Sequence, residues 1–252
     1  MSRYRLVVAY CGEFFDGWQS QPSGNAVQDH LLRALRDIQP AIATVQGSGR
    51  TDAGVHAIAQ VAHFDEAEVT SMDGRAWREA LNNRLPVTLR IMEAEVAPPG
   101  FHARFNARGK LYRYEIFTGP VLPPWRARKA WHVRKPLRLD LLDEAIHCFE
   151  GHHNFSAFAA NRGDPASEPV DPHRTIFRAE SWVEGEDIRL EFEGDGFLYK
   201  MVRMMTGTVV RAAEGKLRSE DIRCWLATPP VGRKAPLSAP PDGLYLVRVR
   251  YD

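Results

Sequence analysis

Asp52 is the residue of this sequence best placed to do chemistry. It lies in a run of eleven residues, 47–57, that contains three glycines, small hydroxyl residues and Arg50. Glycine lets the backbone come close to a ligand, so a carboxylate in such a loop can approach a substrate atom as a nucleophile must. Arg50 can bind phosphate or carboxylate oxygens through two hydrogen bonds. The alternative is a tight connection in which Thr51 or Asp52 accepts hydrogen bonds from nearby backbone amides.

A second feature is the charge of residues 101–135. This window has nine basic residues and one acidic residue, Glu115, in a chain whose net charge is only +1, and seven aromatic residues lie among them. Basic groups for phosphates combined with aromatic rings for bases are typical of RNA binding. The candidate phosphate contacts are Arg104, Arg108, Lys110, Arg126 and Arg128. Arg126 and Arg128 follow two prolines and Trp125, in a stretch that we expect to be exposed. The alternative is a solvated charged face over core aromatics.

The elements that must position these residues follow from hydrophobic periodicity and turn residues. The first half predicts strands over residues 4–10, 42–46, 58–64 and 89–96, with helices starting near Asn25 and spanning about 72–83. The second half predicts strands over 111–117, 175–182, 188–192 and 244–251, with helices over 139–150, 197–213 and 219–226. Residues 159–173 and 228–241 are expected to be loops.

Apart from the short helix over 219–226, each half has the order β-α-β-β-α-β of the split β-α-β, ferredoxin-like unit. We therefore predict an α+β fold of two ferredoxin-like units whose antiparallel sheets join around a central RNA-binding cleft. The first unit is predicted over residues 1–104 and carries the Asp52 loop. The second is predicted over residues 105–252 and carries Tyr112 and the helix that contains Arg203.

Composition narrows the class of protein. Hydrophobic residues make up 44% of the chain and charged residues 26%, as in ordinary globular proteins. No apolar run approaches the roughly 18 residues that span a bilayer, and no signal-peptide segment follows Met1. The three cysteines are widely spaced, which argues against a disulfide framework or a zinc site. We expect a cytoplasmic protein without a bound metal.

Several motifs then give a resemblance to a known family. Residues 47–57, G-x-G-R-T-D-A-G-V-H-A, resemble the catalytic motif of the tRNA pseudouridine synthase A family. The other matching segments are F-F-D-G-W-Q at 14–19, F-H-A-R-F at 101–105, Y-R-Y at 112–114, the helix with M-V-R at 201–203, and G-L-Y-L at 243–246. The motifs follow the family's order across some 230 residues, and residues 161–173 are longer and richer in proline than is usual.

The resemblance implies a homodimeric enzyme that converts uridine to pseudouridine in tRNA, at positions 38, 39 and 40 of the anticodon stem-loop. It implies no metal or organic cofactor. It also pairs Arg203 with the catalytic carboxylate. That pairing suits an arginine on an otherwise apolar helix, where an unpaired charge would be costly.

The reaction assigns roles to the remaining residues. Asp52 is the expected nucleophile at C1′, either through a covalent sugar adduct or by removing a ribose proton. Tyr112 is expected to stack on the detached uracil and to remove its C5 proton, with Arg113 on the opposite side of the strand. Leu244 is expected on the other side of the ring, although a core leucine fits the sequence equally well. Arg50 and Thr51 are candidate substrate contacts.

A second interpretation is a non-catalytic RNA-binding protein built from duplicated RRM-like units. Such a protein would carry exposed aromatics on its sheet faces and would not need a carboxylate in a glycine loop. The first and third predicted strands lack the RNP signature, which favours the enzyme.

Overall fold

The computed structural model describes residues 2–66, 72–160, 171–229 and 234–252, and these form an α+β fold, as predicted. The ten strands of this part of the chain are β1 (Arg3–Tyr10), β2 (Val45–Gly47), β3 (His56–Asp65), β4 (Leu89–Val96), β5 (Gly109–Phe117), β6 (Trp131–His132), β7 (Gly151–Asn154), β8 (His173–Glu184), β9 (Asp187–Gly194) and β10 (Leu244–Arg250). The five helices are α1 (Val27–Arg36), α2 (Gly74–Asn82), α3 (Leu139–His147), α4 (Met201–Ala213) and α5 (Ser219–Ala227).

The chain divides into two compact units. The first contains Met1–Arg108 together with Tyr245–Asp252, and the second contains Gly109–Leu244. The sequence placed the boundary between residues 104 and 105 and assigned the last strand to the second unit. The difference at the C-terminus arises because β10 pairs in parallel with β3 at Tyr245 and Leu246.

The first unit has the predicted β-α-β-β-α-β order. Its strands lie in the order β4-β1-β3, with β2 antiparallel and β10 parallel to β3. Alternate residues of β1 are buried, as a strand with one covered face requires. Helix α2 packs against β4 and begins at Gly74 because the Asp73 side chain accepts a hydrogen bond from the Ala76 amide.

The second unit is an antiparallel sheet in the order β5-β9-β8-β7, with β6 parallel to β5. Helix α3 packs against α4, α5 and β8. The core of the second unit includes Phe149, Phe155, Phe158 and Phe192. Helix α4 begins at Met201, four residues later than predicted. Lys200 has a left-handed backbone conformation, φ 58°, which a continuing helix does not allow.

Two sequence expectations fall partly outside the described residues. Of the loop predicted over residues 159–173, positions 161–170 lie outside them, and so do positions 230–233 of the loop predicted over 228–241. Within the four ranges that the structure covers, no helix is both long enough and apolar enough to cross a membrane.

Candidate active site

The Asp52 loop joins β2 to β3 in the first unit. Asp52 is half-buried and its carbonyl oxygen accepts a hydrogen bond from the Val55 amide at 3.1 Å, which closes a tight turn. Thr51 is buried, and its hydroxyl lies 2.8 Å from the Tyr10 hydroxyl. Burial raises the pKa of Tyr10 to about 12, so this phenol stays protonated at neutral pH. Thr51 thus anchors the loop to β1, while Arg50 beside it is exposed.

A segment over residues 12–18, which we call the cradle, packs against the Asp52 loop. The Trp18 amide donates to the Thr51 carbonyl at 3.1 Å, and the Gly12 amide donates to His56 Nδ1 at 3.1 Å. A Cβ atom at Gly12 would collide with the Val55 carbonyl oxygen. A Cβ at Gly17, whose φ is +90°, would lie 2.6 Å from the Thr51 carbonyl oxygen. The backbones of cradle and loop therefore touch directly, which fixes the backbone that carries Asp52.

The cradle predicts a large effect from a very small substitution. We expect Gly17→Ala to lower the rate of catalysis on the order of 10²-fold, because the added methyl group must displace the loop and an ångström of misplacement has that effect on a reacting group. Gly24→Ala is the matched control: Gly24 also has positive φ, +67°, but its Cβ would meet nothing within 4 Å. Steady-state kinetics and thermal unfolding of both variants test this. Equal losses of activity in the two would show that backbone strain alone is responsible.

Tyr112 lies on β5 in the second unit, opposite Phe192 on β9. It is buried, and its ring meets Phe197 edge to face with centroids 5.0 Å apart. Arg113 points to the other side of the strand, as predicted, and pairs with Glu191 at 2.9 Å. The Tyr112 ring is therefore held in one orientation by packing.

Arg203 is half-buried on α4 and is held by a segment over residues 234–243, which we call the strap. Arg203 Nε donates to the Ala239 carbonyl at 2.8 Å, and the Ala239 amide donates back to the Arg203 carbonyl at 2.9 Å. The Tyr114 hydroxyl donates to the Pro240 carbonyl at 2.7 Å. Burial raises the pKa of Tyr114 well above its usual value, and the nearby Arg203 charge opposes that shift. The buried Leu244 follows directly after the strap.

The predicted phosphate contacts differ in their surroundings. Arg104 and Arg108 are exposed, and Lys110 is half-buried. Arg128 is exposed, with its guanidinium 3.5 Å from Asp242. The stretch around Arg126 is exposed at residues 124, 125 and 127–129, as expected, but Arg126 itself is half-buried. It forms two hydrogen bonds with Asp187, and its guanidinium packs over the Phe117 ring. Pairing across 61 residues of sequence could not be read from the local pattern.

Three histidines near the loop act as structural groups. His56 Nδ1 accepts from Gly12, and His63 Nδ1 accepts from the Ala103 amide at 3.2 Å. Burial lowers the pKa of His63 to about 4, so it is neutral at physiological pH. His102 Nδ1 accepts hydrogen bonds from two backbone amides in the turn over residues 101–106. Among the residues that the structure describes, no group of three or more His, Cys, Asp or Glu side chains could hold a metal ion.

A half-buried carboxylate in a glycine loop, in a chain with a basic and aromatic window, favours an enzyme that acts on RNA. Comparison with known proteins gives the family. A family model described as tRNA pseudouridine synthase matches residues 6–106 and 145–252. The chain belongs to the tRNA pseudouridine synthase family and is an isomerase that makes pseudouridine.

Curated relatives agree over their full length. The tRNA pseudouridine synthase A of Akkermansia muciniphila is 47% identical, with 100% of this chain and 96% of the relative aligned. The protein of the same name from Brevibacillus brevis is 40% identical, with both chains fully covered. That from Methylacidiphilum infernorum is 38% identical over 98% of this chain and 95% of the relative. Family membership therefore favours the enzyme over the non-catalytic RNA-binding protein.

Proposed function

We propose that this enzyme isomerises uridines 38, 39 and 40 in the anticodon stem-loop of tRNA, with Asp52 as the nucleophile. The names of the relatives support tRNA as the substrate, and the motif likeness supports the positions. The observation that carries the assignment of Asp52 is the cradle. Direct backbone contact at Gly12 and Gly17 fixes the loop around this carboxylate, which is the preorganisation that attack on a sugar carbon needs.

The chemistry begins at C1′ of the target uridine. The bond between C1′ and N1 breaks, and its electron pair stays on the uracil ring, which delocalises the negative charge. Asp52 either bonds to C1′ or removes a ribose proton. The freed uracil turns so that C5 bonds to C1′. In the same step the bond from Asp52 to C1′ breaks, or the proton that Asp52 took returns to the ribose. The C5 proton then leaves, and N1 takes up a proton. No external acid is needed for the first step, since the leaving group is already stabilised.

The second unit supplies the other proposed roles. Tyr112 stacks on the uracil and takes the C5 proton, directly or through water, and its ring orientation is set by Phe197. Arg203 keeps the carboxylate of Asp52 ionised, and the strap fixes its side chain through Ala239. Leu244 limits the movement of the base. Arg50 and Thr51 contact the nucleotide, although Thr51 also anchors the loop.

The proposed reaction is tested by release of tritium from tRNA transcripts labelled at C5 of uracil. Transcripts with uridine at 38, 39 and 40 should release label to water, and those with cytidine at all three positions should release none. Release from the cytidine-substituted transcript would place the reaction elsewhere in the tRNA.

We further propose that the enzyme works in the cytoplasm as a homodimer. Analytical ultracentrifugation can test the oligomeric state.

Phosphate contacts predict a steep salt dependence of tRNA affinity. If Arg104 and Arg108 each contact a phosphate, Arg104→Gln/Arg108→Gln should flatten the log–log slope by about 1.4 to 1.8, since each contact contributes about 0.7 to 0.9. The matched control is Arg75→Gln/Arg84→Gln, which removes two exposed charges from the region of α2. The affinity of both double variants for tRNA, measured between low and moderate salt, gives the two slopes to compare. A slope equal to that of the control means that the two charges face solvent.

A further inference from the structure

The turn over residues 101–106 is held rigidly by its own histidine. His102 Nδ1 accepts hydrogen bonds from the amides two and three residues further on, at 3.1 and 3.3 Å, and its Nε2 lies 3.0 Å from Gln46 Oε1. Ala103 is fully buried. Its amide donates to His63 and its carbonyl accepts from the Tyr251 hydroxyl at 2.6 Å. The backbone of the turn is thus tied to three separate parts of the first unit.

This rigid turn carries an exposed aromatic ring. Phe105 is 75% exposed, and its ring lies on that of His102, with centroids 4.2 Å apart and planes at 31°. The Arg104 guanidinium is 5.7 Å from the Phe105 centroid. A phenylalanine this exposed adds little to the core, and a hydrogen-bonded histidine behind it keeps the ring from folding inward. The arrangement presents an aromatic surface to a ligand.

The charges around the ring indicate which ligand. From Ala97 to Tyr114 the sequence has four basic residues and no acidic one, and two of the basic residues, Arg104 and Arg108, are exposed. An aromatic ring beside exposed arginines suits an unpaired nucleobase and its phosphate. The bond from His102 to Gln46 also ties the turn to β2, four residues before Arg50. A bound strand can therefore run from the catalytic loop toward this turn.

We propose that Phe105 is a stacking platform for an unpaired base of the bound RNA, other than the uridine that is isomerised, with Arg104 contacting the phosphate of that nucleotide. The ring supplies a sequence-tolerant face, and His102 keeps it in place. This proposal rests on the proposed function in one respect only: the ligand is the RNA substrate.

The test compares substitutions that keep or remove the aromatic face. At fixed salt, Phe105→Leu should weaken binding of tRNA by roughly 5- to 150-fold, the range for loss of one base–aromatic stack. Phe105→Tyr should bind as the wild type does. Phe177→Leu is the matched control, since Phe177 is 50% exposed on β8, and it should leave binding unchanged. In Phe105→Trp, the added tryptophan fluorescence should be quenched when tRNA is bound.

An unchanged affinity or an unquenched signal overturns the platform. Wild-type affinity in Phe105→Leu would exclude stacking. Unchanged affinity together with a smaller mass by ultracentrifugation would make the ring a contact between copies of this chain. If Phe105→Leu also lowers the melting temperature, the Phe105→Trp variant decides, because an unquenched signal excludes a stacked base. Binding of tRNA does not depend on turnover. Absence of tritium release would therefore refute the proposed reaction and leave the binding result for Phe105 standing.

Discussion

Asp52→Asn is expected to bind tRNA within a few-fold of the wild type and to lose turnover on the order of 10⁴-fold or more, as enzymes do when the attacking group is removed. Asparagine has nearly the same shape as aspartate, and backbone contacts with the cradle position the loop. The folded structure should therefore remain. Tritium release by the purified variant measures the loss, and circular dichroism checks the fold.

Two companion variants make this test sharper. Asp52→Glu keeps the charge but moves the carboxylate by one methylene group, so it should also be severely impaired if position matters. Asp37→Asn removes an exposed carboxylate at the end of α1 and should behave as the wild type. Substantial tritium release by Asp52→Asn would mean that another group attacks C1′.

The second large effect is expected from Tyr112→Phe. This variant keeps the ring that packs against Phe197 but lacks the hydroxyl, so we expect a loss of about 10² to 10⁴ in the rate of tritium release, the usual contribution of a positioned general base. The new carbon–carbon bond should still form. Rapid-quench analysis should therefore show a C5-linked product that retains its tritium.

Tyr4→Phe is the control for removing a buried tyrosine hydroxyl. The Tyr4 hydroxyl donates to the Met72 carbonyl at 2.8 Å, so its loss is expected to cost about 1 kcal/mol of stability without changing the chemistry. Tyr112→Leu, which removes the ring as well, should raise KM in addition. A wild-type rate for Tyr112→Phe would leave stacking as the only role of Tyr112.

Much of the fold could be predicted because its signals are local. Strand β4 was predicted with its correct ends from hydrophobic periodicity and turn residues, and α5 to within one residue. The four-residue strand β7 was missed, since Gly151–Asn154 has no apolar pattern and forms a strand only by pairing with β8. The start of α4 was missed because the left-handed Lys200 backbone has no sequence signature.

The same division holds for the candidate site. The Asp52 loop could be identified because its glycines and carboxylate lie together in the sequence. The cradle was seen only as a likeness to a family motif, and its role depends on contacts between Gly17 and Thr51, which are far apart along the chain. The Arg126–Asp187 pair could not be predicted either, because its two residues are also far apart along the chain. Functional residues that lie together in the sequence can be recognised from it, whereas contacts between residues far apart along the chain are seen only in the folded structure.

The strap has a consequence for protein engineering. Gly207 of α4 lies so close to the Leu237 carbonyl that a Cβ would collide with it, and Arg203 exchanges two backbone-directed hydrogen bonds with Ala239. Helix and strap are therefore complementary surfaces whose substitutions are not independent. In a hybrid with a relative such as the Akkermansia muciniphila protein, a junction between residues 213 and 234 would join one parent's helix to the other parent's strap. Exchange of residues 201–244 as one block keeps the matched pair.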